Sequence, residues 1–402
     1  MDKKPEKLVP EVRFKGFTDD WEQHKLGDIA NIGDGLHGTP KYDANGKYHF
    51  INGNNLIDGK IQITKETKRV SYSALSDDDK SLDNLTILMS INGTIGQLAF
   101  YNKEPIKLGK SVAYIRFGNL STLSFYYGAL MASNTQQYFN RRVTGTTIKN
   151  LGLNEIRNFK YPIPSETEQK KIGKLIKLLN ATITLQQRKL EQLKLLEKAL
   201  QQKLFPNSFQ EKPLLRILHG DNSWWNSYIG EVFTERVDKG SSEKLLSVSI
   251  TDGVYPFDES KRKNNSSNDK HNYKKVFQND IAYNSMRLWQ GALGVSKYEG
   301  IVSPAYTVLK PLANQNSIFY EFMFKNIDML HIFQRNSQGL TSDTWNLKFN
   351  QLQHIKIKTT NLNSQNKIAK LLIKIEELKN NESNYYHNLM ILKKYLLQKL
   401  FI

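Results

Sequence analysis

The chain contains no cysteine and only 11 prolines in 402 residues. The lack of cysteine excludes disulfides, thiolate zinc sites, iron–sulfur clusters and cysteine nucleophiles, and it is typical of a reducing compartment. No run of about 18 apolar residues occurs, and the opening Met1-Asp2-Lys3-Lys4-Pro5 has no apolar core of a signal peptide. These absences predict a cytoplasmic protein that has no membrane partner.

Acidic residues are also in short supply. The 39 aspartates and glutamates face 57 lysines and arginines, which gives a net charge of +18. Such a surface attracts polyanions and loses that attraction as the salt concentration rises. Nucleic acid is therefore the first expected partner.

Motifs for chemistry on nucleic acid are missing. A DNA amino-methyltransferase needs Pro-Pro followed by an aromatic residue, and no proline here is followed by another. Gly109-Lys110-Ser111 supplies only the tail of a phosphate-binding P-loop, because position 104 is Glu104. Glu66-Thr67-Lys68 resembles a nuclease triplet but is expected by chance in so charged a chain, and the eight histidines show no metal spacing. The sequence predicts a chain without catalytic residues, metal or cofactor; a self-contained nuclease or methyltransferase stays a minor alternative.

The sequence contains one unit written twice. The end Gln202-Lys203-Leu204-Phe205 recurs as Gln398-Lys399-Leu400-Phe401, and Asn150-Leu151 recurs as Asn346-Leu347. Near the two starts, residues of the same type keep the same spacing; Pro10, Arg13, Trp21 and Gly27 match Pro213, Arg216, Trp224 and Gly230. The middle of the unit diverges, so the two copies are expected to share a fold and differ in what they contact.

Each copy ends in a pattern that predicts a long helix. In the first, Pro162-Ile163-Pro164 forces extended backbone, and Ser165 with Glu168 forms a capping box; in the second, Asn361 takes the place of Ser165. Helices of about 35 to 40 residues would be roughly 50 to 60 Å long. The apolar seam of the first helix comprises Ile172, Ile176, Leu179, Ile183, Leu190, Leu193, Leu200 and Leu204, interrupted by Gln186 and Glu197. That of the second comprises Ile368, Leu372, Ile375, Leu378, Tyr386, Leu389, Leu392, Leu396 and Leu400, interrupted by Glu382.

The seams repeat at steps of four and three, which is typical of a coiled coil. The predicted fold is α+β, with two tandem mixed α/β domains and two long helices that pair as an antiparallel coiled coil about a pseudo-twofold axis. The predicted boundaries are 1–164, 165–205, 206–360 and 361–402. The alternative is that each amphipathic helix lies on its own domain.

The globular parts, roughly 17–160 and 221–356, are predicted to mix strands and buried helices. Thr86-Ile87-Leu88-Met89, residues 113–117 and residues 305–309 are expected strands. Residues 123–139 and 318–333, which are rich in Tyr, Phe, Leu and Met, are expected buried helices.

Basic, polar and aromatic clusters fall at matching places in the two copies. Residues 141–149 and 335–342 are basic, hydroxyl-rich loops with a glycine, able to bond to phosphates and base edges; a plain turn is the alternative. Residues 283–291 carry Arg and Gln suited to guanine and adenine, and the basic loop 261–265 is suited to phosphates or to solvent alone. Residues 35–42 form a weaker, turn-rich candidate. The expected DNA-binding residues of the first copy are Thr39, Lys41, Tyr42, Arg141, Arg142, Thr144, Thr146, Thr147 and Lys149. Those of the second are Lys261, Arg262, Lys274, Arg287, Trp289, Gln290, Arg335, Ser337 and Gln338.

Two divergent globular regions, each followed by a similar helix ending in Gln-Lys-Leu-Phe, resemble the specificity subunit of type I restriction–modification enzymes. Residues 163–172, with Ile-Pro-Ser running into Glu-Gln-Lys-Lys-Ile, carry part of that resemblance, which covers essentially the whole chain. Shorter family-like stretches are residues 12–17, 21–27, 38–40, 93–96 and 300–306. The second helix departs from the family pattern, because it lacks the Pro-Ile-Pro-Ser and Glu signature.

The resemblance implies a non-catalytic subunit in which each globular region reads one half of a bipartite site in double-stranded DNA. The helices would set the gap between the half-sites and present their apolar residues to partners. Those partners would be two methyltransferase subunits and the restriction (translocase–nuclease) subunits, which would hold S-adenosylmethionine, ATP and magnesium. A homodimeric coiled-coil protein that bridges DNA without sequence specificity is the alternative.

Overall fold

A computed structural model describes residues 8–207, 209–217, 223–259 and 269–402. The loop predicted at Lys261 and Arg262 lies outside the described residues. The chain divides into two compact units, the first comprising Met1–Gln187 with Asn384–Ile402 and the second Arg188–Ser383. Each unit therefore combines a globular domain with half of each long helix. No described helix is both long and apolar enough to cross a bilayer.

The first unit mixes short strands with helices, as predicted. Its strands are β1 Glu22–Lys25, β2 Ala30–Asp34, β3 Tyr48–Ile51, β4 Leu56–Ile57, β5 Lys60–Ile61, β6 Arg69–Val70, β7 Thr86–Ser90, β8 Leu98–Phe100, β9 Ile106–Leu108, β10 Val112–Phe117 and β11 Lys160–Ile163. Its helices are α1 Leu26–Ile29, α2 Asp77–Ser81, α3 Leu123–Met131, α4 Ser133–Arg141, α5 Leu153–Arg157 and the first half of α6 Glu166–Lys203.

A four-stranded sheet in the order β2-β10-β7-β8 forms the centre of the first unit. Every residue of β7 is buried, because this strand is apolar on both faces and lies between two others. The aromatic side chains of α3 and α4, including Phe125 and Phe139, pack on one face of the sheet. The other face packs on a smaller cluster with the sheet β6-β3-β9.

The second unit repeats the central sheet, but its smaller sheet has a different strand order and only antiparallel pairs. Its central sheet has the order β13-β21-β18-β19 and its smaller sheet the order β14-β17-β20, while β12 pairs with β22 as β1 pairs with β11. Its strands are β12 Trp224–Tyr228, β13 Phe233–Glu235, β14 Lys239–Gly240, β15 Leu246–Ser249, β16 Gly253–Pro256, β17 Tyr273–Val276, β18 Ile281–Asn284, β19 Leu293–Val295, β20 Gly300–Val302, β21 Tyr306–Pro311 and β22 Lys356–Thr360. Its helices are α7 Ser317–Phe324, α8 Ile327–Asn336, α9 Phe349–Leu352 and the first part of α10 Leu362–Lys399.

The two predicted buried helices are each broken in two. Ala132 is extended, with ψ at 144°, and separates α3 from α4. Asn326 is extended as well and caps α8 by accepting a hydrogen bond from the amide of Asp328 at 3.3 Å. A break lets both segments bury aromatic residues on the same core, which one straight helix of that length could not do.

Both long helices form, and each has 38 residues. Ser165 Oγ accepts a hydrogen bond from the Glu168 amide at 3.4 Å, and Asn361 Oδ1 accepts one from the Ser364 amide at 2.9 Å. The predicted return bond from Glu168 to Ser165 is not the main contact of that carboxylate, which accepts two bonds of 2.8 Å from Arg13.

The helices pair with each other and also pack on the domains. In the first unit Leu179 and Ile183 of α6 form an apolar cluster with Leu389 of α10, while Ile172 and Ile176 join the domain core. In the second unit the pairing continues through Glu197 and Lys379. Early α6 residues meet late α10 residues and the reverse, so the pairing within each unit is antiparallel. The sequence left two arrangements open, namely helices that pair with each other and helices that lie on their own domains. Each arrangement holds over part of the helices.

The seam prediction is wrong at two residues of α10. Leu378 and Leu392 are 38% and 44% exposed. Lys379 and Lys393 lie one position further along and are half-buried in their place. Lys379 bonds to both Glu197 oxygens at 2.8 Å. A polar pair at this position displaces the apolar residue that strict heptad spacing assigns to the seam.

The chain segment before each domain packs on the end of a long helix. The amide of Val12 bonds to the carbonyl of Lys399 at 2.9 Å in the first unit, and the amide of Leu215 bonds to the carbonyl of Lys203 at 2.9 Å in the second. These contacts match residue for residue in the internal repeat. They explain why the similar residues of the repeat cluster near its two ends.

Candidate DNA interface

The predicted basic loop 141–149 of the first unit begins at the end of α4 and continues into a closed hairpin that a second loop supports. Thr144 and Asn150 exchange backbone hydrogen bonds of 2.9 Å, and the amide of Gly93 bonds to the carbonyl of Lys149 at 2.9 Å. Gly145 has φ at +88°, and a Cβ there would meet the Ile148 carbonyl at 2.3 Å, so only glycine closes this turn without strain. The hairpin 144–150 and the loop 91–96 therefore form one rigid surface.

The weaker candidate loop, residues 35–42, adjoins the same surface. The amide of Leu36 bonds to the carbonyl of Leu108, and the amide of Lys110 bonds back to the carbonyl of Leu36, both at 2.9 Å. Lys110 also accepts, through its carbonyl, a bond of 3.5 Å from the side chain of Asn92 in loop 91–96. The structure thus links the two first-unit candidates, which lie about 100 residues apart in sequence, through Lys110 and Asn92.

A buried ion pair fixes this loop edge from below. Lys107 Nζ lies 2.7 Å from Asp79 Oδ2, and both side chains are 2% exposed. Burial acts to raise the pKa of Asp79, but bonds from the Leu108 amide, Lys107 and Ser76 outweigh it and leave that pKa below its ordinary value. Leu108 is the residue that holds Leu36, so Asp79 positions the strand that supports residues 35–42.

The cations of the first unit differ in how free they are. Arg142 is held, with its guanidinium 3.6 Å from the Tyr138 ring centre and 3.1 Å from Glu155. Arg141 and Lys149 are exposed and form no side-chain hydrogen bond or ion pair with a described residue. Lys41 and Lys110 are equally exposed. The free cations are therefore able to reach a polyanion, whereas Arg142 stabilises the hairpin base.

The second unit builds the same surface from its own loops. Gln338 and Asn346 exchange backbone bonds of 3.0 and 2.8 Å, and the amide of Leu347 bonds to the carbonyl of Ser285 at 2.9 Å. The latter bond corresponds to one of 2.8 Å between the Leu151 amide and the Ile91 carbonyl in the first unit. The hairpin 338–346 and the loop 285–291 therefore match the hairpin 144–150 and the loop 91–96.

Two tryptophans join hairpin and loop in the second unit. The rings of Trp289 and Trp345 meet edge to face with their centres 5.3 Å apart. Arg287 NH2 lies 3.8 Å from Asp343 Oδ1 across the same junction, and Gln290 is exposed beside it. Arg287, Trp289 and Gln290 lie together at the base of the hairpin. The sequence pattern groups these three residues in one candidate cluster, 283–291.

Other predicted residues of the second unit have structural partners. Lys274 Nζ, on the smaller sheet, bonds to Glu235 of the central sheet at 3.0 Å, and Ser337 Oγ bonds to the carbonyl of Phe333 at 2.8 Å. Gln338 accepts a weak bond of 3.3 Å from Gln351. Arg335 is exposed and has no ion pair with a described residue. Lys274 is therefore the predicted contact that fits this surface least.

Sequence reasoning missed several residues of the two surfaces. Lys110, Asn92 and Asp343 lie in them, and so do Ile148 and Leu340, which are 68% and 101% exposed in the two hairpins. Ile148 lies near the end of its hairpin and Leu340 near the start of its own, so the two do not correspond in the repeat. The repeated Asn150-Leu151 and Asn346-Leu347 was the signal that could have aligned these loops.

The seam residues predicted to bind partners are mostly turned inward. Ile172, Ile176, Leu179, Ile183, Leu190, Ile368, Leu372, Ile375 and Leu389 are buried, and Leu193, Leu200 and Leu396 are half-buried. They hold the helices to each other and to the domains. Apart from Leu378 and Leu392, the apolar residues that the helices leave on the surface are not seam residues; the exposed set comprises Leu178, Leu185, Leu195, Leu196, Leu371, Leu378, Tyr385, Met390, Ile391, Leu392 and Tyr395.

The described residues contain no group of three or more side chains that could hold a metal ion. Gly109-Lys110-Ser111 lies in the turn between β9 and β10 rather than before a helix, so its context is not that of a P-loop.

Part of the chain matches a known family model, and two solved structures share its fold. Residues 18–195 match the family model of the type I restriction modification DNA specificity domain. A solved S subunit of a type I restriction-modification system from M. genitalium superposes with a TM-score of 0.63 at 14% identity, covering 98% of this chain and 99% of that chain. A second solved chain, from work on complex assembly and conformational transition of the type I R-M system, gives 0.51 at 14% identity, covering 98% of each chain. At such identity these likenesses establish the fold.

Proposed function

We propose that the chain is a type I restriction–modification specificity subunit, a non-catalytic protein that reads a bipartite site in double-stranded DNA. The match of residues 18–195 to the specificity-domain model and the shared fold of the solved S subunit support this proposal. Each unit reads one half-site through its hairpin and the loop beside it. The observation that carries the proposal is the repetition of this surface, with free cations on both copies and different side chains around them.

Phosphate contacts orient the subunit and base contacts give it specificity. In the first unit Lys41, Lys110, Arg141 and Lys149 are suited to phosphates, while Thr39, Tyr42, Thr144, Thr146 and Thr147 supply hydroxyls beside them. In the second unit Arg287, Gln290 and Arg335 contact bases, and Lys261 and Arg262 contact phosphates.

The hairpin tips add an apolar contact. Ile148 and Leu340 are exposed in the hairpins of the two units, where DNA can contact them. In the major groove such side chains meet the methyl group of thymine. The tips therefore enter the groove when DNA binds.

Two methyltransferase subunits dock on the helices, and the restriction subunits join the complex through them. The exposed apolar residues of the helices, such as Leu185 and Leu195, are the contact surface. S-adenosylmethionine, ATP and magnesium belong to those partners. The complex acts in the cytoplasm.

The helices set the gap between the half-sites. Because α6 and α10 are continuous over 38 residues each, they are stiff enough to serve as a spacer.

Mapping of methylated adenines in cells with and without the chain, in the presence of its methyltransferase partner, tests the proposal. We expect a single two-part motif that disappears with the chain. Binding of all DNA alike by a salt-dependent dimer would instead favour a homodimeric bridging protein.

A further inference from the structure

Arg287 and Asp343 form a loose ion pair between two loops of the second unit. The atoms Arg287 NH2 and Asp343 Oδ1 are 3.8 Å apart, beyond hydrogen-bond distance, and the Asp343 side chain is 87% exposed. An exposed pair of this kind adds little to stability. Its placement on the candidate DNA interface therefore calls for another role.

Both partners sit on fixed backbone. The turn of residues 284–292 is closed by bonds from the Arg287 amide to Asn284 and from the Gln290 amide to Arg287, both 3.0 Å. On the other side, the Thr344 amide bonds to the carbonyl of Thr341 at 2.9 Å. The contact between Trp289 and Trp345 joins the two sides. A cation and an anion are thus presented together, which limits the ordering cost of binding.

The pair does not suit a phosphate. A carboxylate 3.8 Å from the guanidinium offsets its charge and repels a phosphate group. Arg287 forms no side-chain hydrogen bond with a described residue, so all its donors remain available. The pair of Arg287 and Asp343 instead fits a ligand surface that offers hydrogen-bond acceptors to the arginine and a neighbouring donor to the aspartate.

We infer that Arg287 and Asp343 together read one guanine–cytosine base pair of the second half-site. Guanine presents O6 and N7 as acceptors in the major groove, and cytosine presents the N4 amino group as a donor. Guanine O6 and cytosine N4 are adjacent, because they bond to each other in the base pair. Arginine pairs with the former and aspartate accepts from the latter. Asp343 is a specificity-determining residue that also disfavours other DNA by repulsion.

The first unit has no such pair. Loop 91–96 and hairpin 144–150 carry Gly93 and Thr147 near the corresponding places. The inference, which rests on the proposed function, therefore concerns the second half-site alone, and the first half-site serves as an internal control.

The test uses the full chain bound to its methyltransferase subunits and duplexes that carry its methylated site, with each base pair of the second half-site changed in turn. We expect Asp343→Ala to reduce the preference for one guanine–cytosine pair by roughly 5- to 150-fold. Arg287→Ala should reduce the preference at that same pair. Preferences at the first half-site should stay unchanged.

The matched control is Glu299→Ala, which removes an exposed acid from the turn between β19 and β20. If Asp343→Ala only strengthens binding to all duplexes as Glu299→Ala does, with every base preference retained, the inference is wrong and the proposed function stands. If the unaltered chain directs no methylation to a bipartite site, the proposed function itself is wrong.

Discussion

Asp79→Asn tests whether one buried ion pair supports the candidate DNA interface of the first unit. The change removes a negative charge and leaves Lys107, 2% exposed, without its counter-ion. Breaking a buried pair from one side costs about 3 to 5 kcal/mol, because the remaining charge is desolvated and unpaired. We expect a loss of that size in the free energy of unfolding of the first unit. Asp77→Asn, on the same helix but with a fully exposed side chain, should change it by less than about 0.5 kcal/mol.

The pH dependence gives this prediction a sign. The folded-state pKa of Asp79 lies below its ordinary value of 3.8. Its contribution is therefore full above the unfolded-state pKa, about 3.9, and is lost as the pH falls through the lower folded-state value. The difference in the free energy of unfolding between the unaltered chain and Asp79→Asn should therefore shrink in that acid range.

Urea unfolding with hydrogen exchange resolved by unit measures these effects. Protection should fall in β9 and in residues 35–42 of Asp79→Asn, and should be retained in the second unit. The reasoning is refuted if Asp79→Asn costs no more than Asp77→Asn at neutral pH.

Three further predictions concern the segment before the first domain, the DNA contacts and the helix α6. Arg13→Ala removes both bonds to Glu168 and should let residues 8–20 exchange their amide hydrogens faster. The side chain of Arg216 is exposed, so Arg216→Ala should not speed exchange in residues 209–217. Equal protection in both variants would contradict this. Lys149→Ala should weaken binding to all DNA alike and flatten its salt dependence, while Arg335→Ala should relax preference at one base position at a cost of about 1 to 3 kcal/mol; the reverse pattern in salt titrations would overturn these roles. Four residues inserted after Leu193 add about 6 Å and slightly more than one turn to α6, so the apolar seam can survive. The preferred DNA spacer should then lengthen by one or two base pairs of about 3.4 Å. An unchanged spacer in a folded, partner-bound variant would show that the helices do not set the gap.

Much of the fold could be predicted because the repeat is visible in the sequence itself and the signals that start a helix come from neighbouring residues. Asn361 caps α10 as the match with Ser165 predicted, and both helices have the predicted length. The breaks at Ala132 and Asn326 were not predicted, since nothing in their neighbours forbids a helix. The packing of two segments on one core favours both breaks, and the side chain of Asn326 adds a cap to α8.

The candidate interface was predicted in part. Most of the predicted loops 141–149 and 335–342 lie in matching hairpins, because glycine and hydroxyl residues are strong turn signals. Arg141 and Arg335 were wrongly placed in these loops, since they lie in the last turns of α4 and α8. The contribution of Lys110 and Asn92 depends on backbone contacts between segments far apart in sequence. The outward or inward direction of the seam residues depends on where Lys379 and Glu197 meet, which heptad spacing alone does not reveal.

The most direct test of the central claim is to replace residues 221–356 with the same region of a relative and to map methylated adenines genome-wide. If each unit reads its own half-site, the second half of the motif changes while the first half is retained. A motif in which both halves change together, or neither does, would contradict the assignment of one half-site to each unit.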